Sequence, residues 1–263
     1  MMTPPRCAIL GVGVSAINMV DAQAHIAAWI EQNEPNYVCV TPAHAIMECH
    51  DHPELMPIYN QSGLTTPDGM AVVWLLRWRG FKRVERVYGP DLLLETCRAG
   101  LNRGYRHYFY GGAPGVAEEL AERLGAQYPG LNVVGIESPP FRALTGEETE
   151  QMRERLQRAK PDIVWVGIGS PRQERWMASE VAALGVPVLI GVGAAFDFLS
   201  GRKAQAPRWV QTSGLEWLFR LLSEPGRLWK RYVLGYPRFV VLILLEQVKM
   251  WLSKGKKAGP NAA

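Results

Sequence analysis

The chain has 263 residues, 48% of them apolar and 21% charged. That balance suits one large folded domain, with or without an addition, and excludes a disordered chain. The net charge of +4 is unevenly spread: residues 1–201 carry 17 basic and 22 acidic side chains, whereas residues 202–263 carry 12 and 3.

In chain order, short apolar runs at 7–12, 37–41, 107–110, 132–136, 163–168 and 188–192 predict strands. Longer amphipathic stretches at 20–31, 68–79, 91–102, 114–127, 146–159 and 171–184 predict helices. Pro114 and Pro171 suit a first helical turn, where a missing N–H costs little. The alternation predicts an α/β fold, a Rossmann-like and largely parallel sheet flanked by helices. After Gly201 it stops. Residues 207–222 read as one amphipathic helix, Pro225 breaks the pattern before 227–234, and Pro237 breaks it again before the apolar run 239–245. The expected organisation is an α/β body over 1–201, a basic helical appendage over 202–253 and a frayed Lys-rich tail over 254–263.

No apolar run exceeds the seven residues of 239–245, against roughly 20 needed to span a bilayer, so no crossing is expected. Four of the nine tryptophans fall in the basic C-terminal segment, which favours an anionic surface as partner. Zinc-finger spacing and RNA-binding aromatic signatures are lacking, so a membrane surface is favoured over nucleic acid. Cys7, Cys39, Cys49 and Cys97 lie far apart without C-x-x-C spacing, and the N-terminus lacks the features of a secretory signal. Reduced thiols in a cytoplasmic setting are expected.

Several segments bear residues suited to chemistry. Asp68, in Thr66-Pro67-Asp68-Gly69, is either a turn residue capping the next helix or a general base. Gly169, Ser170, Pro171, Arg172 and Gln173 follow a predicted buried strand, where loop N–H groups favour phosphates in parallel sheets. Gly111 and Gly112 repeat that arrangement in GGAPG, and suit either close approach to a nucleotide or a tight turn. Asp197 follows a third strand and fits a ribose contact or a helix start. Arg86 precedes Tyr88-Gly89-Pro90-Asp91 and is either a counter-charge for diphosphate or solvated. Arg220, Arg227 and Arg231 share a helical spacing, with apolar neighbours that suit an anionic membrane surface or docking on the body. His44, Glu48, Cys49, His50, Asp51 and His52 cluster without any known metal-ligand spacing, so no metal is expected there. No Asp-x-Asp occurs.

Taken together, TPDGMAVVW, ERVYGPDL, YFYGGAPGVAEEL, VGIGSPRQERW, GVGAAFDFLSG and APRWVQTSGLEWLFRLLSEPGRLWKRYVLG resemble the WecG/TagA/CpsF family of bacterial glycosyltransferases over roughly residues 8–245. The resemblance implies an inverting, metal- and cofactor-independent transfer of a sugar from a UDP-sugar to a polyprenyl-diphosphate-linked saccharide. The sugar would be of the N-acetylmannosamine, corresponding uronic acid or glucose type. The polymer would be a cell-wall or surface polysaccharide, with the enzyme peripheral on the cytoplasmic face of the inner membrane and capable of forming a homo-oligomer. By resemblance Asp68 is the catalytic base, and Thr41 and Arg86 are active-site residues. Gln173 and Asp197 lie on the UDP side, and Arg220, Arg227 and Arg231 reach the lipid diphosphate. One departure stands out: many relatives have Asn two residues after the Thr of the Thr-Pro pair, where this chain has Ala43 and then His44. Two alternatives remain from the residues themselves. One is an NAD-dependent Rossmann enzyme using GGAPG with Glu137 as a ribose acid; the other is a non-catalytic, nucleotide-responsive membrane module.

Overall fold

A computed structural model describes residues 3–257. Residues 258–263 of the expected tail lie outside the described residues.

Strands β1 (Arg6–Ile9) and β2 (Val12–Ser15) form an antiparallel hairpin apart from the main sheet. The single strand predicted at 7–12 is thereby corrected. Leu10 and Gly11 have φ of 49° and 89°, and two successive positive φ values make the tight turn that reverses the chain. The main sheet comprises β3 (Asn36–Thr41), β4 (Leu64–Pro67), β5 (Arg106–Gly111), β6 (Asn132–Glu137), β7 (Ile163–Gly167) and β8 (Val188–Gly191). All pair in parallel, in the spatial order β4-β3-β8-β7-β5-β6. Strand β4 was not predicted, because its residues are Leu-Thr-Thr-Pro. Of its two threonines, Thr65 is satisfied locally, its hydroxyl donating to the Tyr59 carbonyl at 2.9 Å, while the buried Thr66 hydroxyl has no partner among the described residues. Pro67 is tolerated at the end of an edge strand.

The helices of the body are α1 (Met19–Gln32), α2 (Ala43–Asp51), α3 (Met56–Gln61), α4 (Met70–Trp78), α5 (Gly89–Gly100), α6 (Val116–Gln127), α7 (Gly146–Ala159), α8 (Arg172–Leu184) and α9 (Ala195–Leu199). Asn18 and Thr145 start α1 and α7 with capping boxes, each satisfying an otherwise orphaned N–H. Alternate strand residues feed two cores. Val38, Phe109, Ile163, Trp165, Val188 and Ile190 pack with α1, α5, α6 and α9. Cys39, Tyr108, Tyr110, Val164, Val166 and Leu189 pack with α2, α4, α7, α8 and the hairpin. Burial on both faces explains why the central strands read as continuous apolar runs. Each large apolar side chain so buried contributes about 1.5–3 kcal/mol.

Beyond Gly201 the chain is helical, as α10 (Arg208–Thr212), α11 (Glu216–Ser223) and α12 (Pro225–Trp229), then a π-helical turn Lys230–Leu234 and α13 (Gly235–Lys257). The predicted helix over 207–222 is broken at Gly214, whose φ is 80°. The break expected at Pro225 is present: α11 ends at Ser223, Glu224 has φ of −136°, and Pro225 then opens α12. Pro237 breaks nothing: it lies in the first turn of α13, directly after the π-helical turn. Helix α13 lies on the body through Phe239 and Ile243, the Arg238–Asp51 ion pair at 2.6 Å and the Arg79–Glu246 pair at 2.5 Å. Its other side exposes Val240, Val241, Leu244, Leu245, Val248, Trp251 and Leu252. No helix among the described residues is long and apolar enough to cross a membrane.

Candidate active site

The C-terminal ends of the parallel strands open into one cavity of about 780 Å³. Its wall includes Pro42 and Asp68 from beyond β3 and β4, Gly112 after β5, Ser138 after β6, Gly169 and Ser170 after β7, and Gly193 after β8. This is where open α/β sheets bind ligands. A smaller cavity of about 150 Å³ adjoins it, lined by Trp74, Trp217, Tyr232 and Tyr236. Pro42, His44, Asp68 and Arg220 line both.

Asp68 is held where the two meet. Its N–H donates to the Thr41 carbonyl at 3.3 Å, which continues the β3–β4 pairing by one residue. Gly69, with φ of 83°, then turns the chain into α4. The carboxylate does not cap that helix, so the turn-residue reading is set aside. Instead Asp68 Oδ1 accepts from Arg86 Nε at 3.0 Å, while Oδ2 takes no hydrogen bond among the described residues. The Arg86 loop is fixed by the Val87 N–H, which donates to the Pro67 carbonyl at 2.9 Å.

Arg86 reaches a second acid. Its Nη2 lies 2.6 Å from Glu216 Oε2 on α11, and its Cζ sits 3.9 Å from the centroid of the Tyr88 ring. The Tyr88 hydroxyl donates to Glu216 Oε1 at 3.2 Å. Burial pushes the Asp68 carboxyl above the ordinary carboxylate range, Arg86 pulls it back, and Glu216 pushes it up again. Burial opposes the charge on Arg86, but Asp68 and Glu216 outweigh it and keep the guanidinium firmly protonated.

The expected cation trio also converges. Arg220, Arg227 and Arg231 all line the large cavity. Burial and the three guanidiniums hold the His44 imidazole well below its ordinary value, hence neutral at pH 7. Arg231 is itself lowered, first by burial and then, against Tyr232, by the crowding of Arg220 and Arg227. Arg220 Nε has no partner among the described residues. Such a cluster of partly desolvated cations calls for an anion.

Also on the wall of the large cavity, Gln173 is buried beside Gly191 and Gly193. Its Nε2 donates to Glu174 Oε1 at 2.9 Å and its Oε1 is unpartnered among the described residues. Asp197, in the first turn of α9, pairs with Lys203 at 3.0 Å, and both line the cavity. Arg172 donates to the carbonyls of Pro140 and Arg142 at 2.9 Å, so it braces the loop after β6.

Two expected site residues lie under the wall instead of on it. The Thr41 side chain is buried and its hydroxyl donates to the Cys39 carbonyl at 2.8 Å. Gly111, with φ of 140°, lies against Gly167, whose carbonyl carbon would be 2.5 Å from an added Cβ. Close strand packing therefore accounts for Gly111, while Gly112 does line the cavity. Glu137, the ribose acid of the NAD alternative, is occupied by Arg155 at 2.7 Å and the Tyr108 hydroxyl at 3.0 Å. Among the described residues no three His, Cys, Asp or Glu side chains converge as metal ligands, and His52 approaches Glu48 and Glu54 only at 3.7 and 3.9 Å.

Sequence reasoning missed Glu216, Trp74, Trp217, Tyr232 and Tyr236 as wall residues. The one available signal was that Glu216 is among only three acids in a strongly basic segment.

The chain is 26% identical over 239 residues to an N-acetylglucosaminyldiphosphoundecaprenol N-acetyl-beta-D-mannosaminyltransferase of Bacillus subtilis (strain 168), covering 88% of this chain and 90% of that one. It is 25% identical over 240 residues to the enzyme of the same name from Bacillus spizizenii (strain ATCC 23059 / NRRL B-14472 / W23), covering 89% and 91%. With residues 7–253 matching its sequence pattern across sheet, cavities and C-terminal helices alike, the chain belongs to the glycosyl transferase WecG/TagA/CpsF family.

Proposed function

We propose that this glycosyltransferase moves a sugar from a UDP-sugar to a polyprenyl-diphosphate-linked saccharide, inverting the anomeric centre, with Asp68 as the base. The observation that carries the reading is the position of Asp68 on the walls of both cavities. The larger, ringed by strand-end loops and cations, has room for a nucleoside diphosphate sugar. The smaller, lined by tryptophan and tyrosine, suits the apolar face of an acceptor sugar. The names of the relatives supply the acceptor class, a saccharide on undecaprenyl diphosphate, and N-acetylmannosamine as the first sugar to try.

In this reading the acceptor hydroxyl donates to Asp68 Oδ2, the oxygen that Arg86 leaves open. As the acceptor oxygen bonds to the anomeric carbon, its proton passes to Asp68 and the bond to the UDP oxygen breaks. Arg220, Arg227 and Arg231 receive the charge that develops on the departing diphosphate. One carboxylate on the acceptor side suffices for a single displacement, and single displacement inverts. Gln173 and Asp197 hold the uridine end, with Ser170, Gly169 and Gly112 supplying close backbone.

The exposed apolar residues of α13, together with Trp229, Val233 and Leu234, form a surface for an anionic membrane, where the lipid-linked acceptor resides. Residues 1–201 then act as the catalytic body and 202–253 as the membrane-facing appendage.

The test is turnover of a panel of UDP-sugars on a prenyl-diphosphate-linked acceptor, with product identified by mass and anomeric configuration by NMR. Asp68→Asn should lower kcat by about 10²- to 10⁴-fold while UDP affinity stays within about twofold. Unchanged turnover, or a product with retained configuration, overturns the assignment.

A further inference from the structure

Arg86 is shared between two carboxylates from distant parts of the chain, Asp68 beyond β4 and Glu216 on α11. Nε donates to Asp68 Oδ1 at 3.0 Å, and Nη2 forms an ion pair with Glu216 Oε2 at 2.6 Å. The three side chains are only 15%, 15% and 12% exposed for Arg86, Asp68 and Glu216, so water screens them little. Glu216 has its own anchor in the Tyr88 hydroxyl. It is the first residue of α11, two positions after the Gly214 break, so its place depends on how the C-terminal helices dock.

A guanidinium facing a lone carboxylate tends to engage both its oxygens, forming a two-pronged pair. Such a pair would leave Asp68 without an open oxygen and lower its affinity for a proton, which is the wrong state for a base. Glu216 prevents this by occupying the second prong. We propose that Glu216 is a positioning residue: when the C-terminal helices dock, it draws Arg86 into a shared arrangement that leaves Asp68 one open oxygen and a stronger pull on the acceptor proton.

The inference rests on Asp68 being the base. The charged and titratable groups that act on Asp68 from the surrounding elements are Arg86 and Tyr88 from the loop before α5, Glu216 and Arg220 from α11, Tyr232 from the π-helical turn and Tyr236 from α13. His44 on α2 shares both cavity walls and stays neutral. Of these, Glu216 alone is a second carboxylate, so removing its charge must strengthen the hold of Arg86 on Asp68.

The experiment uses full-length protein, wild type and three variants, Glu216→Gln, Glu216→Asp and Asp68→Asn. It measures kcat/KM for a prenyl-diphosphate-linked acceptor across pH, alongside UDP affinity and melting temperature. Glu216→Gln is expected to move the acid limb of kcat/KM to lower pH by about one unit and to lower the plateau about threefold. Glu216→Asp, which keeps the charge at a greater reach, should shift the limb less in the same direction. A plateau that falls with no movement of the limb means Glu216 only helps docking, and overturns the proposal. If Glu216→Gln shows no folded transition, Glu216→Asp decides alone, and an unmoved limb again overturns it. Asp68→Asn separates the two levels. Full turnover in that variant removes the base itself, whereas an inactive Asp68→Asn beside an unmoved Glu216→Gln profile removes only the coupling.

Discussion

Trp74 lays the edge of its indole against the backbone of Gly214, leaving no space for a Cβ there. Trp74 belongs to α4, the helix that begins just after Asp68, and Gly214 separates α10 from α11, the helix that delivers Glu216 and Arg220. Both residues line the smaller cavity. The contact therefore joins the Asp68 turn to the C-terminal helices beside the smaller cavity.

Gly214→Ala should weaken that closure. A side chain at φ of 80° costs about 1 kcal/mol by itself, and the clash with Trp74 adds to it. Turnover is expected to fall about tenfold, and UDP affinity less, because most of the large cavity wall comes from the strand ends. Trp74→Ala combined with Gly214→Ala should cost less than the two separate losses added together, since the clash is absent in the pair. Initial rates and calorimetric UDP titration of the four proteins check this.

Two glycines assigned to the nucleotide side separate by what surrounds them. At Gly111 an added Cβ meets the Gly167 backbone at 2.5 Å, with φ of 140°. At Gly169 φ is 86° but no atom lies within 4 Å of an added Cβ. Gly111→Ala should thus cost about 3 kcal/mol or more, through displaced strand ends. Gly169→Ala should cost about 1 kcal/mol, from backbone strain alone. Urea unfolding monitored by circular dichroism ranks them.

What could be read from the chain followed from which forces act locally. The five predicted strands of the main sheet were legible because residues such as Ile163–Gly167 are apolar throughout, as double-sided burial requires. Strand β4 escaped because it is short and half polar, and Thr65 is satisfied by neighbours that only the fold brings close, Tyr59 and Ser62. The hairpin turn escaped because Leu10 carries no turn signal. The site was legible as separate loops, each with Gly, Pro or a charge at a strand end. The partnership of Arg86 with Glu216 was not, since 130 positions separate them in the numbering and no local pattern marks a contact of that range. Thr41 and Gly111 show the converse: motif position pointed to ligand contact, while local packing explains them without it.

Glu174 gives a pH-dependent prediction for stability. It is fully buried, takes a hydrogen bond from Gln173 Nε2 at 2.9 Å, and lies near Ser170 and Tyr59. Burial raises its carboxyl above the ordinary range, and the hydrogen bonds offset only part of that. A carboxyl raised on folding contributes stability that is fully present below its unfolded value and is lost as pH rises through the folded one. Glu174→Gln stays neutral throughout, so its melting temperature should decline less on the alkaline side of that transition. Melting curves recorded across pH for both proteins test it, and parallel declines contradict it.

The arginine cluster predicts opposite effects on stability and binding. Arg231 loses proton affinity first through burial and then through Arg220 and Arg227, so its charge is uncomfortable in the unliganded site. Arg231→Gln should relieve that repulsion and stabilise the fold by about 1 kcal/mol. It should also weaken UDP about tenfold, because one charge-assisted contact to the diphosphate is lost. His44 supplies an independent reading of the same charge. With one of its three cationic neighbours gone, its imidazole titrates closer to its ordinary value, which is visible in the NMR shift of its ring protons. A higher melting temperature, weaker UDP and a rising His44 titration should appear together. Lower stability with undiminished UDP affinity would mean that Arg231 holds the helices together instead of waiting for an anion.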